Sequence, residues 1–271
     1  MTDNIFKNFD LKNKTAVLTG SAGRLGNEFA HILCQAGANV ILVDIDSKEN
    51  KKLELSLRKK FDNKIISYTL DISNQNSVKK LKKEILAKFG RLDILINNAF
   101  FNPSINQSQK MKKFETFPLE VWNKVIGVNL TGVFVCSQEL GSIMAKEKGG
   151  VIVNISSIYG MVGADQRIYG ESGLNSQPSY AATKGAIVNL TRYLAAYWNG
   201  KNVRVNTLTL GGVLDKSYMK ESFIKKYSEK TILGRMANKN EYNGALLFLV
   251  SDASSYMTGT NLVIDGGWTA W

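Results

Sequence analysis

The sequence predicts an α/β protein with a doubly wound parallel sheet of about seven strands and helices on both faces. Three observations carry that expectation. Strand-like and helix-like segments alternate from the start in steps of about 30 residues, the spacing of right-handed βαβ units. The strand segments are runs of Val, Ile and Leu with little polar alternation, as suits strands buried on both faces. A glycine-rich turn, Thr19-Gly-Ser-Ala-Gly-Arg-Leu-Gly26, lies between the first strand and the first helix.

The elements follow in order. Residues 15–19 read as a short buried strand, followed by the glycine turn and an amphipathic helix to about Ala36, with Gly37 as its stop. Strands are expected at 39–44, 65–70 and 92–96, with helices at 48–60 and 75–88. A long helix is expected over 119–146, a fifth strand at 151–155 and a helix over 179–198. A sixth strand at 203–208, a Lys-, Tyr- and Phe-bearing segment at 215–230, a helix at 240–250 and a last strand at 261–265 complete the chain. No repeat, low-complexity tract or linker interrupts this order, so residues 1–271 read as one domain. Ligands of such sheets bind beyond the carboxyl ends of the strands. The loops near 20, 44, 71, 97, 156 and 209 are therefore the functional ones.

Composition narrows the class. The 271 residues are 44% hydrophobic and 21% charged, which supplies a core and excludes disorder. Cys34 and Cys136 are too few for a disulfide framework, so a reducing, cytoplasmic setting is expected. Residues 1–10 lack the apolar stretch of a signal peptide, and no window is expected to span a bilayer. The formal charge of +12 invites a nucleic-acid or membrane-surface reading. Its make-up argues otherwise. Of 35 basic residues 28 are Lys, many on helices, as at Lys79, Lys80, Lys82, Lys83 and Lys88. Arginine forks and interleaved aromatics are missing there. Neither nucleic acid nor membrane is expected as a partner. A small molecule is, and an anionic one would suit the basic field.

The glycine turn carries the first chemistry. Gly20 permits the tight turn, Gly23 lets backbone approach a pyrophosphate, and Gly26 lets helix and strand pack closely. The helix N-terminus offers N–H groups and a positive dipole end to phosphates. Asp44 ends the second strand, where a carboxylate accepts hydrogen bonds from ribose hydroxyls and repels a 2′-phosphate. NAD is thus favoured over NADP, with Arg24 as the opposing feature. Asp46 reads as solvated or as a helix cap.

Tyr-x-x-x-Lys places a phenol and an ammonium one helical turn apart, where the ammonium favours phenolate and lowers the tyrosine pKa. Two such pairs occur, Tyr180 with Lys184 and Tyr197 with Lys201. Tyr180 starts the helix after the fifth strand, at the ligand end of the sheet. Tyr197 ends that helix, at the opposite end, and is read as chance.

These motifs, taken together, resemble the short-chain dehydrogenase/reductase superfamily in its compact single-domain branch. The resemblance rests on Thr19-Gly-x-x-Gly-x-x-Gly26, Asp44, Asp71-Ile72, Asn97-Asn-Ala99, Asn129, Ser156-Ser157, Tyr180-x-x-x-Lys184 and Asp265-Gly-Gly267, in order over nearly the whole chain. It implies a Rossmann-type dinucleotide-binding domain and roles for matching positions. Tyr180 exchanges the proton, and Lys184 holds the nicotinamide ribose and tunes Tyr180. Ser157 binds the substrate oxygen, and is preferred over Ser156 because Gly160 follows three residues later. Asn129 bends its helix and holds a water next to Lys184. Asp71 and Ile72 contact adenine, and Asn98 and Ala99 line the cofactor groove. Ala22, Arg24 and Leu25 within the glycine turn, and Gly211 and Val213 after the sixth strand, join the cofactor set. The family is commonly tetrameric, so a homo-oligomer, dimer or tetramer, is expected. The final Trp-Thr-Ala-Trp271 could pack at such an interface.

Departures from the family pattern bear on the substrate. Arg24 interrupts the usual Gly-x-Gly spacing, as in the extended, epimerase-like branch. Phe100 stands where a glycine usually follows Asn-Asn-Ala, Leu210-Gly211 replaces a usual Pro-Gly, and Ser217 is the only stand-in for a Thr expected just after. The stretches near 100–117 and 158–179 are longer than usual and should border the substrate. The second holds Gln166, Arg167, Tyr169, Glu171, Asn175 and Gln177, of which Gln166, Arg167 and Tyr169 are the candidate substrate ligands beside Ser157 and Tyr180. Such a set suits a hydroxylated or acidic molecule better than an acyl chain. The expected activity is NAD-dependent interconversion of a secondary alcohol and a ketone on a sugar, sugar acid or polyol. A 3-oxoacyl-carrier-protein reductase is one alternative. An epimerase or dehydratase lacks room for its larger substrate domain. A nucleotide sensor without catalysis is the alternative of a different class. No metal site is expected, because His31 is the only histidine and sits in a helix.

Overall fold

The computed structural model describes residues 4–103, 113–172 and 175–271. Seven strands form one sheet: β1 (Thr15–Thr19), β2 (Asn39–Asp44), β3 (Ile65–Thr69), β4 (Ile94–Asn97), β5 (Gly150–Ser157), β6 (Val203–Leu210) and β7 (Asn261–Ile264). Their spatial order is β3-β2-β1-β4-β5-β6-β7, and every pair is parallel. The chain winds outward from β1 in one direction and from β4 in the other. The switch point therefore lies between β1 and β4, where the loops after them separate and leave a crevice.

Alternate side chains of each strand enter opposite cores. Ala16, Leu18, Val40 and Leu42 pack with Phe29 and Leu33 of α1 (Arg24–Gln35), Leu53 and Leu57 of α2 (Ser47–Arg58), and Leu246 and Leu249 near the C-terminus. Val17, Ile41 and Leu95 pack with Leu81 and Ile85 of α3 (Gln75–Phe89) on the other face. This two-sided burial explains the unbroken apolar runs. The helices are capped as their sequences suggest. Asp46 accepts from the Glu49 N–H to start α2, Asn74 does so from Ser77 for α3, and Gly90 closes α3 with a φ of +69°. Asp46 is thus a cap.

The helix expected over 119–146 is present but not uniform. It consists of α4 (Leu119–Ile126), a π-helical turn (Gly127–Gly132) and α5 (Val133–Lys146). By length and composition Leu119–Lys146 is apolar enough to cross a membrane, contrary to expectation. Part of its apolar surface is buried in this fold. Val135, Cys136, Leu140, Ile143 and Met144 lie in the core beside β4 and β5.

The second half continues with α6 (Pro178–Tyr197), α7 (Glu221–Ser228) and α8 (Asn243–Val250). The longer stretch after β5 forms two 3₁₀ segments, Ile158–Gly160 and Gln166–Ser172. It packs on α7 through a small aromatic core of Ile158, Ile168, Tyr227, Met236 and Trp268. Trp268 is thus part of this chain's own interior, whereas Trp271 is exposed and donates its indole N–H to the Lys230 carbonyl. Of the stretch near 100–117, residues 104–112 lie outside the described residues. Glu171 lies in the second 3₁₀ segment.

Candidate active site

The glycine turn is held from three sides. Gly20 has a φ of +66°, and a Cβ there would stand 2.6 Å from the Ala99 Cα, so only glycine fits. Asn98, buried, donates its amide N–H to the carbonyls of Thr19 and Gly20 at 3.0 Å each. The Thr19 hydroxyl accepts from the N–H groups of Asn98 and Ala99 and donates to the Ile96 carbonyl. Below the turn, Ser21 donates to Asn50 of α2 at 2.7 Å. Asn98 and Ala99 therefore brace the cradle, and Thr19, Ser21 and Asn50 were not singled out individually from the sequence. Gly26 packs against the carbonyl of Gly20 and the Cα of Ser21, so a side chain there would push α1 off the turn.

Gly23 starts α1 without a side-chain cap, which leaves the first turn of the helix able to bind an anion. Half-buried Asp44 borders it. One carboxylate oxygen accepts from the Ala22 N–H at 2.9 Å, the other from the Asp46 N–H at 3.0 Å. A cradle that a Cβ would fill, an uncapped helix end and a carboxylate at the next strand end fit a dinucleotide. Leu25 packs against the core beneath. Arg24 is committed elsewhere: its guanidinium pairs with Asp215 and donates to the Tyr218 hydroxyl at 2.9 Å. Asp71 is exposed and caps its own loop by accepting from the N–H and hydroxyl of Ser73. The Ile72 side chain is buried on Gly132 of the π turn, so only its backbone is left for a ligand.

The proton-handling groups converge between β5 and α6. The Lys184 ammonium is buried, donates to the Ile155 carbonyl at 2.8 Å and stands 5.7 Å from the centre of the Tyr180 ring. Burial alone pulls its pKa down to about 8. Burial raises the pKa of Tyr180, outweighing the opposite pull of neighbouring Ser157. The expected lowering by Lys184 is thus not seen: loss of hydration dominates. The Ser156 hydroxyl donates to the Lys184 carbonyl at 2.9 Å and so fastens α6 to β5. Gly160 is required beside it, because a Cβ there would stand 2.6 Å from that carbonyl. Of the two serines, Ser157 is the one that acts on Tyr180, and its hydroxyl oxygen also accepts from the Tyr159 N–H at 3.3 Å.

Asn129 sits in the π turn that interrupts the helix. Its side-chain amide accepts from the Phe101 N–H at 2.7 Å and donates to the Phe101 carbonyl at 3.2 Å. The side chain anchors the loop after β4, and holding a water would fall to the backbone. That loop carries Phe100 to the Tyr180 ring, edge on, at 6.5 Å.

Opposite Phe100 the site is aromatic. Tyr159 and Tyr169 lie beside each other, and burial raises the pKa of both. Tyr227 accepts from the Gly212 N–H and stacks 4.2 Å from Trp268. Gly211 packs on Asp265, and Val213 bridges to Ala237, which fixes the segment after β6. Of the candidate substrate ligands, Tyr169 joins this wall. Gln166 and Arg167 do not. Gln166 pairs with the backbone of Ser176, and exposed Arg167 forms a two-pronged pair with Asp165. Ser217 also turns away, donating to Asp215. Tyr197 is exposed far along α6, stacked on Tyr193, consistent with a chance pair. His31 packs edge-on against Phe61, and no cluster able to hold a metal exists among the described residues.

Comparison with known proteins agrees with this geometry. A family model described as enoyl-(acyl carrier protein) reductase matches residues 20–269. The chain is 34% identical over 261 residues to a 3-oxoacyl-[acyl-carrier-protein] reductase of Thermotoga maritima, covering 95% of this chain and 98% of the relative. It is 32% identical over 267 residues to an NAD-dependent glycerol dehydrogenase of Listeria innocua, covering 97% and 96%. A gluconate 5-dehydrogenase from Burkholderia cenocepacia, solved with NADP and tartrate, superimposes with a TM-score of 0.87 at 27% identity, covering 99% and 100%.

Proposed function

Because the chain belongs to the short-chain dehydrogenase/reductase family, whose members oxidise alcohols and reduce ketones, we propose that it interconverts a secondary alcohol and a ketone on a sugar, sugar acid or polyol, with NAD as cofactor. The observation that carries this is the convergence of Tyr180, Ser157 and Lys184 beside a glycine cradle bordered by Asp44. The nicotinamide, when bound, supplies or accepts the hydride. The chain does the rest. The turn at Gly20 and the end of α1 bind the phosphates, and Asp44 takes the ribose hydroxyls. Ser157 holds the substrate oxygen by a hydrogen bond. Tyr180 takes the proton from that oxygen in oxidation and returns it in reduction. Lys184 keeps a positive charge near the phenol and so stabilises the phenolate as it forms.

The substrate class rests on the polar residues of the longer loops and on the named activities of relatives, which include glycerol, sorbose and D-threitol. NAD rests on Asp44 and on the engagement of Arg24 by Asp215. Reduction of a 3-oxoacyl carrier is the second reading, favoured by the Thermotoga relative. We place the enzyme in a reducing compartment, since Cys34 and Cys136 are buried and unpaired. Exposed Phe134, Tyr193 and Tyr197 on α5 and α6 support a homo-oligomer, which light scattering tests. The deciding experiment is NAD reduction over sugars, sugar acids and polyols, with acetoacetyl thioesters and NADP as contrasts. Turnover of the thioesters alone would replace the polyol reading with the second one.

A further inference from the structure

We propose that Gln177 selects the substrate by binding a hydroxyl next to the reacting carbon; this rests on the polyol reading above. Gln177 immediately precedes α6, three residues before Tyr180 and seven before Lys184. That spacing sets all three on one face of the helix, with Gln177 and Tyr180 one turn apart. The loop after β4 runs over the same face. Phe100 lies against the Tyr180 ring, and Asn102, two residues on, accepts from the Gln177 side-chain N–H at 2.8 Å.

Gln177 is only 4% exposed, yet its carbonyl oxygen has no hydrogen-bond partner among the described residues. A buried carboxamide normally uses both ends, because an unpaired end loses hydration without return. Nitrogen and oxygen of such a group can be interchanged, but either way one end stays unpaired. A hydroxyl both donates and accepts, so it satisfies whichever end is free. A carboxylate or a methyl group does not. The same carboxamide rejects an analogue that lacks the hydroxyl, because that ligand leaves the buried group unpaired. Gln166 and Arg167, which the sequence favoured for this task, are spent on Ser176 and Asp165. Among the described residues of that stretch, the buried side-chain atoms without a partner are Gln177 Oε1 and Ser179 Oγ, and Gln177 is the longer of the two side chains.

The test compares butane-2,3-diol with butan-2-ol, which differ by the hydroxyl beside the reacting carbon, as substrates for NAD reduction. Wild type is expected to favour the diol in kcat/KM by at least about tenfold. Gln177→Met, close in volume, and Gln177→Ala should lower that ratio to under about threefold, mainly through KM. NADH affinity by fluorescence titration should stay within about twofold, which shows that the variants are folded. A ratio unchanged in both variants overturns the role of Gln177 and leaves the polyol reading standing. A wild type that oxidises both alcohols equally, or neither, overturns the polyol reading and the proposal with it.

Discussion

The guanidinium of Arg24 meets the carboxylate of Asp215 at 2.5 Å, joining the first turn of α1 to the segment after β6. Tyr218 reinforces the link, its ring 5.2 Å from the guanidinium and its hydroxyl accepting from it. The link joins the two segments beside which the dinucleotide is proposed to lie, and it occupies the arginine of the glycine turn. A 2′-phosphate would have to compete with Asp215 for that arginine. Asp215→Asn removes the competitor's charge and keeps its shape. The KM for NADPH should then fall by about threefold to tenfold, with the KM for NADH within about twofold. Steady-state kinetics with both cofactors decides; an unchanged KM for NADPH would show that Arg24 does not reach the phosphate.

Asp44 does two jobs that one substitution separates. Its oxygens accept from the N–H groups of Ala22 and Asp46, which shapes the turn, and its charge repels a 2′-phosphate. Asp44→Asn retains an acceptor for one of those N–H groups and removes the charge. The ratio of kcat/KM for NADPH over NADH should rise at least about tenfold, and the melting temperature should fall by no more than a few degrees. A collapse of both activities instead would make the turn, and not the charge, the main duty of Asp44.

Tyr180→Phe removes the proposed proton carrier and leaves the ring against Phe100. Turnover should drop by about 10³-fold or more, while NADH binding by fluorescence stays within a few-fold of wild type. Wild-type-like turnover would reject the assignment of Tyr180.

The sheet and the cradle were legible because their rules are local. Apolar runs buried on two faces read directly as parallel strands, Gly20 and Asp44 sit at strand ends, and Tyr180 is set by its one-turn spacing to Lys184. What escaped depends on how distant segments meet. Asn98 reads as a groove residue, but its amide clamps the carbonyls of Thr19 and Gly20, nearly eighty residues away. Arg167 reads as an anion ligand, but Asp165, two residues earlier, captures it on the surface. Loop side chains have no periodicity to fix their direction, so their chemistry was readable and their aim was not. The Tyr180 pKa shows the same division. The one-turn spacing to Lys184 argues for lowering, and only the packed site reveals that burial outweighs it.

Lys184 makes a prediction about stability as well as catalysis. Burial holds its pKa at about 8 in the folded chain, against 10.5 ordinarily. Below pH 8 both folded and unfolded chains carry the proton, and the folded state bears the cost of a buried ammonium. Between pH 8 and 10.5 the unfolded chain holds one proton more than the folded one. Stability must therefore rise with pH across that window. The rise should amount to about 2 kcal/mol between pH 7 and 9.5. Above pH 10 the buried phenols of Tyr159, Tyr227 and Tyr242 act in the opposite sense. Their pKa values are raised by burial, so the unfolded chain ionises first and stability declines. The general repulsion among the surface lysines also relaxes as pH rises, so wild type alone is not diagnostic. Lys184→Met keeps that background and removes the titrating group. Urea unfolding at several pH values from 7 to 10 should show the two proteins diverging above pH 8, with wild type gaining on the variant. Parallel curves would mean that Lys184 titrates alike in the folded and unfolded chains.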